Sequence, residues 1–405
     1  MTMTPTRKPE AGLPLAGVRV LDLTRVMSGP FCTSMLADLG AEVIKIEMPG
    51  FGEEGRFFAP HVNGESTYFA LLNRGKESVT VNLKSPDGIA LIHDLARKAD
   101  VLVENFRPGV AERLGLSHEA MLALNPKLIY ASISGFGQQG PYADWPAFDL
   151  VIQAMSGLMS ITGERDGRAN AVGESVADVA TGMFAAWGIA AALYEREKTG
   201  VGRYLEVAML DAVFSMLLTS LSRKLFTDRP VGRVGNRHPE TYPVDSFPTR
   251  TGDIVMVGFS DGIVRQIGQA IGKPDLLDDP RFKTNRDRNA HEGELRGIIA
   301  DWARGLTRDE AMARLREADV PAAPVWTLDE LLKSGHVEAR GMLQPGTNGK
   351  LGDIRFVPQP VKFEGSPPPS TRRAPTLGED TETVLRRELS LGDDKIAALR
   401  AAKTI

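Results

Sequence analysis

Residues 172–190 read V-G-E-S-V-A-D-V-A-T-G-M-F-A-A-W-G-I-A, and the rest of the chain is organised around them. A single carboxylate, Asp178, stands before an apolar run that predicts a helix through Leu193. The run ends in Glu195, Arg196, Glu197 and Lys198. Thr199-Gly200-Val201-Gly202 follows as a glycine cap. A helix N-terminus carries free N–H groups and the positive end of the dipole, so it is expected to favour an ionised Asp178. A carboxylate nucleophile must be ionised to attack. Asp is also a preferred N-cap, and Ser175 and Thr181 stand close by as rival or supporting caps. Spacing alone therefore favours the capping role.

Outward from this helix the chain alternates strand and helix. Residues 18–23 predict a buried strand, 24–30 a turn, 31–39 a helix closed by Gly40, and 41–47 a second strand. Strand, helix, strand implies a parallel sheet. Further strands are expected at 78–83, 99–104, 128–134 and 203–207, with a helix from Ser85-Pro86-Asp87-Gly88 to Lys98. The fold class is α/β, and polar loops fall at the carboxyl ends of the strands, where open sheets bind ligands.

Residues 210–225 predict a long amphipathic linker helix. A hairpin is expected around Thr249-Arg250-Thr251-Gly252-Asp253, followed by helices at 262–271, 292–302 and 308–318, which together make a small α+β domain. The tail predicts strand character at Phe356 and 361–363, a Pro/Ser-rich stretch at 366–375, and a last helix at 380–389. The expected organisation is a large domain from residues 1–209 and 335–405, linkers at 210–235 and 319–334, and a small domain at 236–318.

The 405 residues exceed one ordinary core. A net charge of −4 gives no reason to expect nucleic acid. One cysteine, Cys32, allows no disulfide within the chain and fits a reducing compartment. No Cys/His cluster stands at ligand spacing, so no metal is expected. Residues 1–14 lack the apolar core of a signal peptide, and the apolar stretch 183–193 falls short of the roughly 20 residues that span a bilayer. A cytoplasmic protein without membrane contact is expected.

Pro49-Gly50-Phe51-Gly52-Glu53-Glu54-Gly55 matches G-x-G-x-x-G but follows the second strand and opens no helix. Its two glutamates would repel a pyrophosphate, so it reads as a mobile glycine loop. No P-loop and no G-x-S-x-G occurs. Lys84, Asn105, Arg107 and Arg113 stand beside strand ends and suit phosphates as a set, although each alone reads as a solvated surface residue.

Several motifs in order resemble the family III CoA-transferases, in the superfamily that also holds the α-methylacyl-CoA racemases. They are Gly17-Val18-Arg19-Val20-Leu21-Asp22-Leu23-Thr24 with Gly29-Pro30, and Gly40-Ala41-Glu42-Val43-Ile44-Lys45-Ile46-Glu47. Val103-Glu104-Asn105-Phe106-Arg107-Pro108-Gly109, Gly135-Phe136-Gly137, the Asp178 segment with Arg196-Glu197-Lys198-Thr199-Gly200, and Pro375-Thr376-Leu377-Gly378-Glu379-Asp380-Thr381 complete the set. The resemblance implies an enzyme that transfers CoA, a sulfur-containing group. It also implies a Rossmann-like large domain with a small inserted domain, in an interlocked homodimer. The substrates are an acyl-CoA and a carboxylic acid, with coenzyme A thioesters as substrates rather than a permanently bound cofactor. The family's nucleophile falls on Asp178. Its CoA contacts fall on Val26, Met27, Val81, Lys84, Asn105, Phe106, Arg107, Arg113, Phe148 and Asp149.

Two features depart from the formyl-CoA:oxalate member. Met48 replaces a cationic CoA contact, and residues 236–245 hold no glycine-rich lid, so that substrate pair is not expected. A racemase needs acid/base groups on both faces of the α-carbon. Phe148 stands where the racemases carry a His, and Gly258-Phe259-Ser260-Asp261 lacks their Glu, so transfer is favoured over racemisation. A non-enzymatic acyl-CoA-binding protein is the remaining alternative. Arg233 and Arg237 are candidates to hold a second carboxylate, which suits a dicarboxylate such as succinate.

Overall fold

The computed structural model describes residues 12–369 and 372–405. Residues 1–11 of the amino-terminal stretch and positions 370 and 371 of the Pro/Ser-rich stretch lie outside the described residues.

Six strands form one sheet: Arg19–Asp22 (β1), Glu42–Glu47 (β2), Glu77–Thr80 (β3), Val101–Glu104 (β4), Ile129–Ser134 (β5) and Arg203–Ala208 (β6). Their order is β3-β2-β1-β4-β5-β6 and every pairing is parallel. The helices that matter most are Ser28–Asp38 (α1), Pro86–Ala96 (α2), Asp149–Met155 (α3) and Val176–Thr199 (α4).

A parallel sheet must be covered on both faces, and successive side chains point to opposite ones. Val20, Val43, Val101, Val103 and Ile129 share a core with Cys32 and Leu36 of α1 and Ala185, Ile189 and Leu193 of α4. Leu21, Ile44, Leu102 and Tyr130 join Ile92 and Leu95 of α2 and Val384 in the opposite core. Strand order reverses between β1 and β4, so the ligand crevice of this topology lies outside their carboxyl ends.

The α4 helix is longer than the apolar run suggested. Its 24 residues are long and apolar enough to cross a membrane by length and composition, yet half of its apolar window is buried in the protein. It lies close against α1 because Gly182 has no side chain. A Cβ there would come within 2.6 Å of the Ser28 carbonyl oxygen and 2.9 Å of the Phe31 ring.

Two compact units are present. One joins the described residues up to Leu158 with Ala171–Leu221 and the described residues from Val337 to Ile405. In it the carboxyl-terminal segment docks on β3, where Thr80 N–H donates to Thr381 Oγ1 at 3.0 Å and Ser78 N–H donates to Asp380 Oδ2 at 2.9 Å. The other comprises Met159–Asn170 and Ser222–His336. Its antiparallel strands Val244–Thr249, Gly252–Val257 and Ala322–Pro324 share a core with helices Asp261–Ala270, Glu292–Arg304 and Arg308–Glu317.

The segment expected as one linker helix is two, Met209–Met216 and Leu218–Phe226, broken at Leu217. In the tail, Asp353–Phe356 pairs with Gln344–Thr347, while residues 361–363 form no strand. A helix at Asp393–Ala401 follows the one at Thr381–Leu389.

Candidate active site

The loop after β1 is built on buried charge. Asp22, at the carboxyl end of β1, is fully buried and sits 3.0 Å from Lys76 Nζ. It also accepts the Thr33 hydroxyl at 2.7 Å and the Thr24 N–H at 2.9 Å. Burial alone pushes Asp22 up, but Lys76, Lys45 and the threonine hydroxyls overcome it and hold the carboxyl at about 2. Burial lowers Lys76 to about 8.

Above this network the chain runs through Arg25 and Val26. Asn105, at the end of β4, accepts the Arg25 N–H at 2.9 Å and donates to the Arg25 carbonyl at 2.8 Å. Two loops that meet at the reversal of strand order are thereby clipped together. The Asn105 amide is committed to Arg25. Val26 holds φ 69°, a left-handed conformation that is a true outlier for a β-branched residue.

A cleft of about 300 Å³ opens on this loop. Its lining includes Val26, Met27, Ser28, Phe106, Arg107, Trp145, Phe148 and Asp178. Asp178 occupies the first turn of α4, whereas Ser175 is the N-cap residue and makes no side-chain cap bond. The spacing-based capping role for Asp178 is therefore corrected. The Thr181 hydroxyl donates back to the Ala177 carbonyl at 2.6 Å and does not cap the helix either.

The capping work is done by Asp149, the first residue of α3. Its Oδ1 accepts the Ala177 N–H at 2.7 Å and the Asp178 N–H at 3.4 Å, while Gln153 donates to its Oδ2 at 2.7 Å. The free N–H groups expected to favour an ionised Asp178 are thus occupied by a second carboxylate. Burial and the Asp149 charge raise Asp178 to about 6, opposed by hydrogen bonds from the Ser28 hydroxyl and N–H. The sequence-based expectation of a lowered value is reversed.

Val81 is buried in the core beneath α2, so its side chain is not offered to a ligand. Lys84 and Arg113 are exposed and do not line the cleft, whereas Arg107 is exposed and does. Phe148 is 64% exposed. The G-x-G-x-x-G loop is pinned, with Glu53 buried 3.5 Å from Lys45 and accepting the N–H groups of Val26 and Gly55. Arg233 donates to the carbonyls of Glu164 and Gly167, and Arg237 pairs with Glu292 at 3.3 Å, so both are engaged by the protein itself.

Sequence reasoning missed Ser28, Glu53 and Trp145. Ser28 directly precedes the Gly29-Pro30 pair, and a Ser at a helix start is the signal that marks it. Trp145 packs with Tyr142 at 4.8 Å and with Phe136 at 6.4 Å, an aromatic cluster that no short motif announces.

Residues 15–381 match the model of CoA-transferase family III. The chain is 40% identical over 399 residues to an acetyl-CoA:oxalate CoA-transferase of Acetobacter aceti, covering 98% of this chain and 100% of that protein. It is 39% identical over 393 residues to a succinate–glutarate CoA-transferase of Agrobacterium fabrum, covering 95% and 97%. The crystal structure of a CAIB/BAIF family protein from Brucella suis superposes with a TM-score of 0.82 at 32% identity, covering 93% of this chain and 99% of that one. With a six-stranded parallel sheet of matching architecture and a family match along most of its length, the chain belongs to the family III CoA-transferases.

Proposed function

We propose that this enzyme moves CoA from an acyl-CoA thioester to a free carboxylic acid with Asp178 as the nucleophile. The observation that carries the reading is a partly desolvated carboxylate that lines the cleft together with Ser28. Removing water leaves a carboxylate more basic and better able to attack, while a value of about 6 keeps it ionised at neutral pH.

An Asp178 oxygen attacks the thioester carbonyl carbon, the C–S bond breaks, and a mixed anhydride and CoA thiolate result. The thiolate attacks the aspartyl carbonyl and the anhydride C–O bond breaks. This step leaves an aspartyl-CoA thioester and the free donor acid. The acceptor carboxylate then attacks that thioester, expelling thiolate and forming a second anhydride. The thiolate attacks the acceptor's acyl carbon, which releases the new acyl-CoA and the Asp178 carboxylate. The Ser28 hydroxyl and N–H, which favour the charged form of Asp178, are the proposed donors that stabilise charge as it develops on the aspartyl carbonyl in the two middle steps. Van der Waals contacts for CoA come from Val26, Met27, Phe106 and Phe148. The exposed cations Arg107, Lys84 and Arg113 suit its phosphates.

A dicarboxylate such as succinate is proposed as the donor acid, in keeping with relatives named for succinate and glutarate or for succinyl-CoA and D-citramalate. The relative named for acetyl-CoA and oxalate brings oxalate into the acceptor panel. The threaded homodimer implied by the resemblance is proposed with it, supported by Trp187 and Tyr194, 69% and 66% exposed on α4. A cytoplasmic location is proposed on the single free cysteine.

The test is a panel of succinyl-, acetyl- and formyl-CoA against oxalate, succinate, glutarate and other acids, read by mass spectrometry of the CoA products. Succinyl-CoA is expected to serve as donor. No CoA exchange with any pair would contradict the reading.

A further inference from the structure

We propose that Glu53 is a positioning residue for the transfer reaction: it holds Val26 in its left-handed conformation and so keeps Ser28 in place in the cleft it lines with Asp178. The inference rests on Asp178 being the nucleophile.

A β-branched residue at φ 69° persists only where its surroundings over-determine it. Both backbone groups of Val26 are held. Its N–H donates to Glu53 Oε2 at 2.9 Å, and its carbonyl accepts the Tyr68 hydroxyl at 3.3 Å. The same Glu53 oxygen accepts the Gly55 N–H at 2.8 Å, which fixes the carboxylate from its own side. Glu53 is 2% exposed, and its charge is met by Lys45 Nζ at 3.5 Å. Lys45 is fully buried and also donates to the Thr24 carbonyl at 2.9 Å. One buried ion pair therefore grips the chain on both sides of Arg25.

Two residues beyond Val26, α1 begins at Ser28. The helix itself has little room to move, since Gly182 of α4 lies against its first turn. A change of backbone conformation at Val26 must then be absorbed by Met27 and Ser28, the residues that line the cleft beside Asp178. Glu53 touches neither substrate nor Asp178 in this scheme. The groups that face Asp178 electrostatically are Asp149 from α3 and Tyr68, and Glu53 acts through the placing of Ser28, which favours the charged form of Asp178.

Glu53→Gln removes the charge, and Glu53→Asp keeps it while shortening the reach to Val26. In both, kcat is expected to fall about 10- to 100-fold, the scale of a small misplacement at a reacting group, while KM for the acyl-CoA changes far less. The acid limb of the kcat–pH profile should move to higher pH, because Asp178 loses donors that favour its ionised form. Glycine adopts the left-handed conformation without strain. The penalty of Glu53→Gln should therefore be about fivefold or more smaller in a Val26→Gly background than in the native one. Should the Gln variant not fold, the Asp variant carries the same comparison. Folded Glu53 variants with the native pH profile overturn the proposal, as do Val26→Gly and Glu53→Gln effects that simply multiply. If hydroxylamine traps no adduct on Asp178 of the unaltered enzyme, the underlying nucleophile reading has failed. An adduct there with unshifted Glu53 variants shows that only the Glu53 inference has failed.

Discussion

The Oδ1 oxygen of Asp149 lies 3.4 Å from the backbone nitrogen of Asp178, so the carboxylate that closes the helix end also sets the charge environment of the carboxylate riding on it. Their like charges raise Asp178, and the backbone bonds hold Asp149 where it must exert that effect.

Asp149→Asn keeps an acceptor oxygen for the Ala177 and Asp178 N–H groups and deletes the charge. With its second-largest raising influence gone, Asp178 titrates lower. The acid limb of kcat, set in the native enzyme near the value of about 6, should shift to lower pH. A pH–rate profile measured beside a thermal melt checks this. An unmoved limb in a folded variant would show that Asp149 serves only as a cap.

Gly182 sets how closely α4 and α1 approach. Gly182→Ala places a methyl group 2.6 Å from the Ser28 carbonyl oxygen and 3.2 Å from the Cys32 nitrogen. Overpacking of this kind costs about 1–3 kcal/mol. Because Ser28 lines the cleft with Asp178 and favours its charged form, transfer should fall with stability. Denaturant unfolding together with a CoA-exchange assay reports both. Native activity in a destabilised variant would uncouple the helix contact from the site.

Asp22→Asn leaves Lys76 buried without its anionic partner, and breaking a buried pair from one side costs about 3–5 kcal/mol. In the native protein the folded Asp22 titrates near 2, below the ordinary 3.8. Its stabilising contribution is thus present above pH 3.8 and is lost as pH falls towards 2. Urea unfolding midpoints followed down through that window should show the native loss of stability. The Asn variant should start lower and show a flatter fall.

The sheet was legible because its strands are short, nearly continuous apolar runs, as in Val20-Leu21 and Val43-Ile44, bounded by glycine and polar turns. The break at Leu217 was not, since no glycine or proline marks it and the apolar pattern runs straight through. Asp178 stood out beside its apolar helix, but its neighbours did not. Asp149 caps that helix from 29 residues away in sequence, and Glu53 reaches Val26 from 27 away. Bonds of that kind follow from tertiary packing and leave no periodic trace. The cleft-lining set of Val26, Met27, Asn105, Phe106, Arg107 and Phe148 came from family resemblance, because residues gathered from several strand ends share no spacing.

In the proposed reaction Asp178 carries the acyl group and then CoA. The direct measurement is peptide mass spectrometry after incubation with succinyl-CoA or acetyl-CoA alone, quenched with hydroxylamine or borohydride, on the native enzyme and on Asp178→Asn. Asp178 is not the cap of its helix, so the Asn variant should fold with little change in stability. A trapped modification is expected at Asp178 of the native enzyme, with none at that position in the variant and loss of CoA exchange there. A variant that exchanges CoA at near-native rate, or a native enzyme whose adduct maps to another residue, would contradict it.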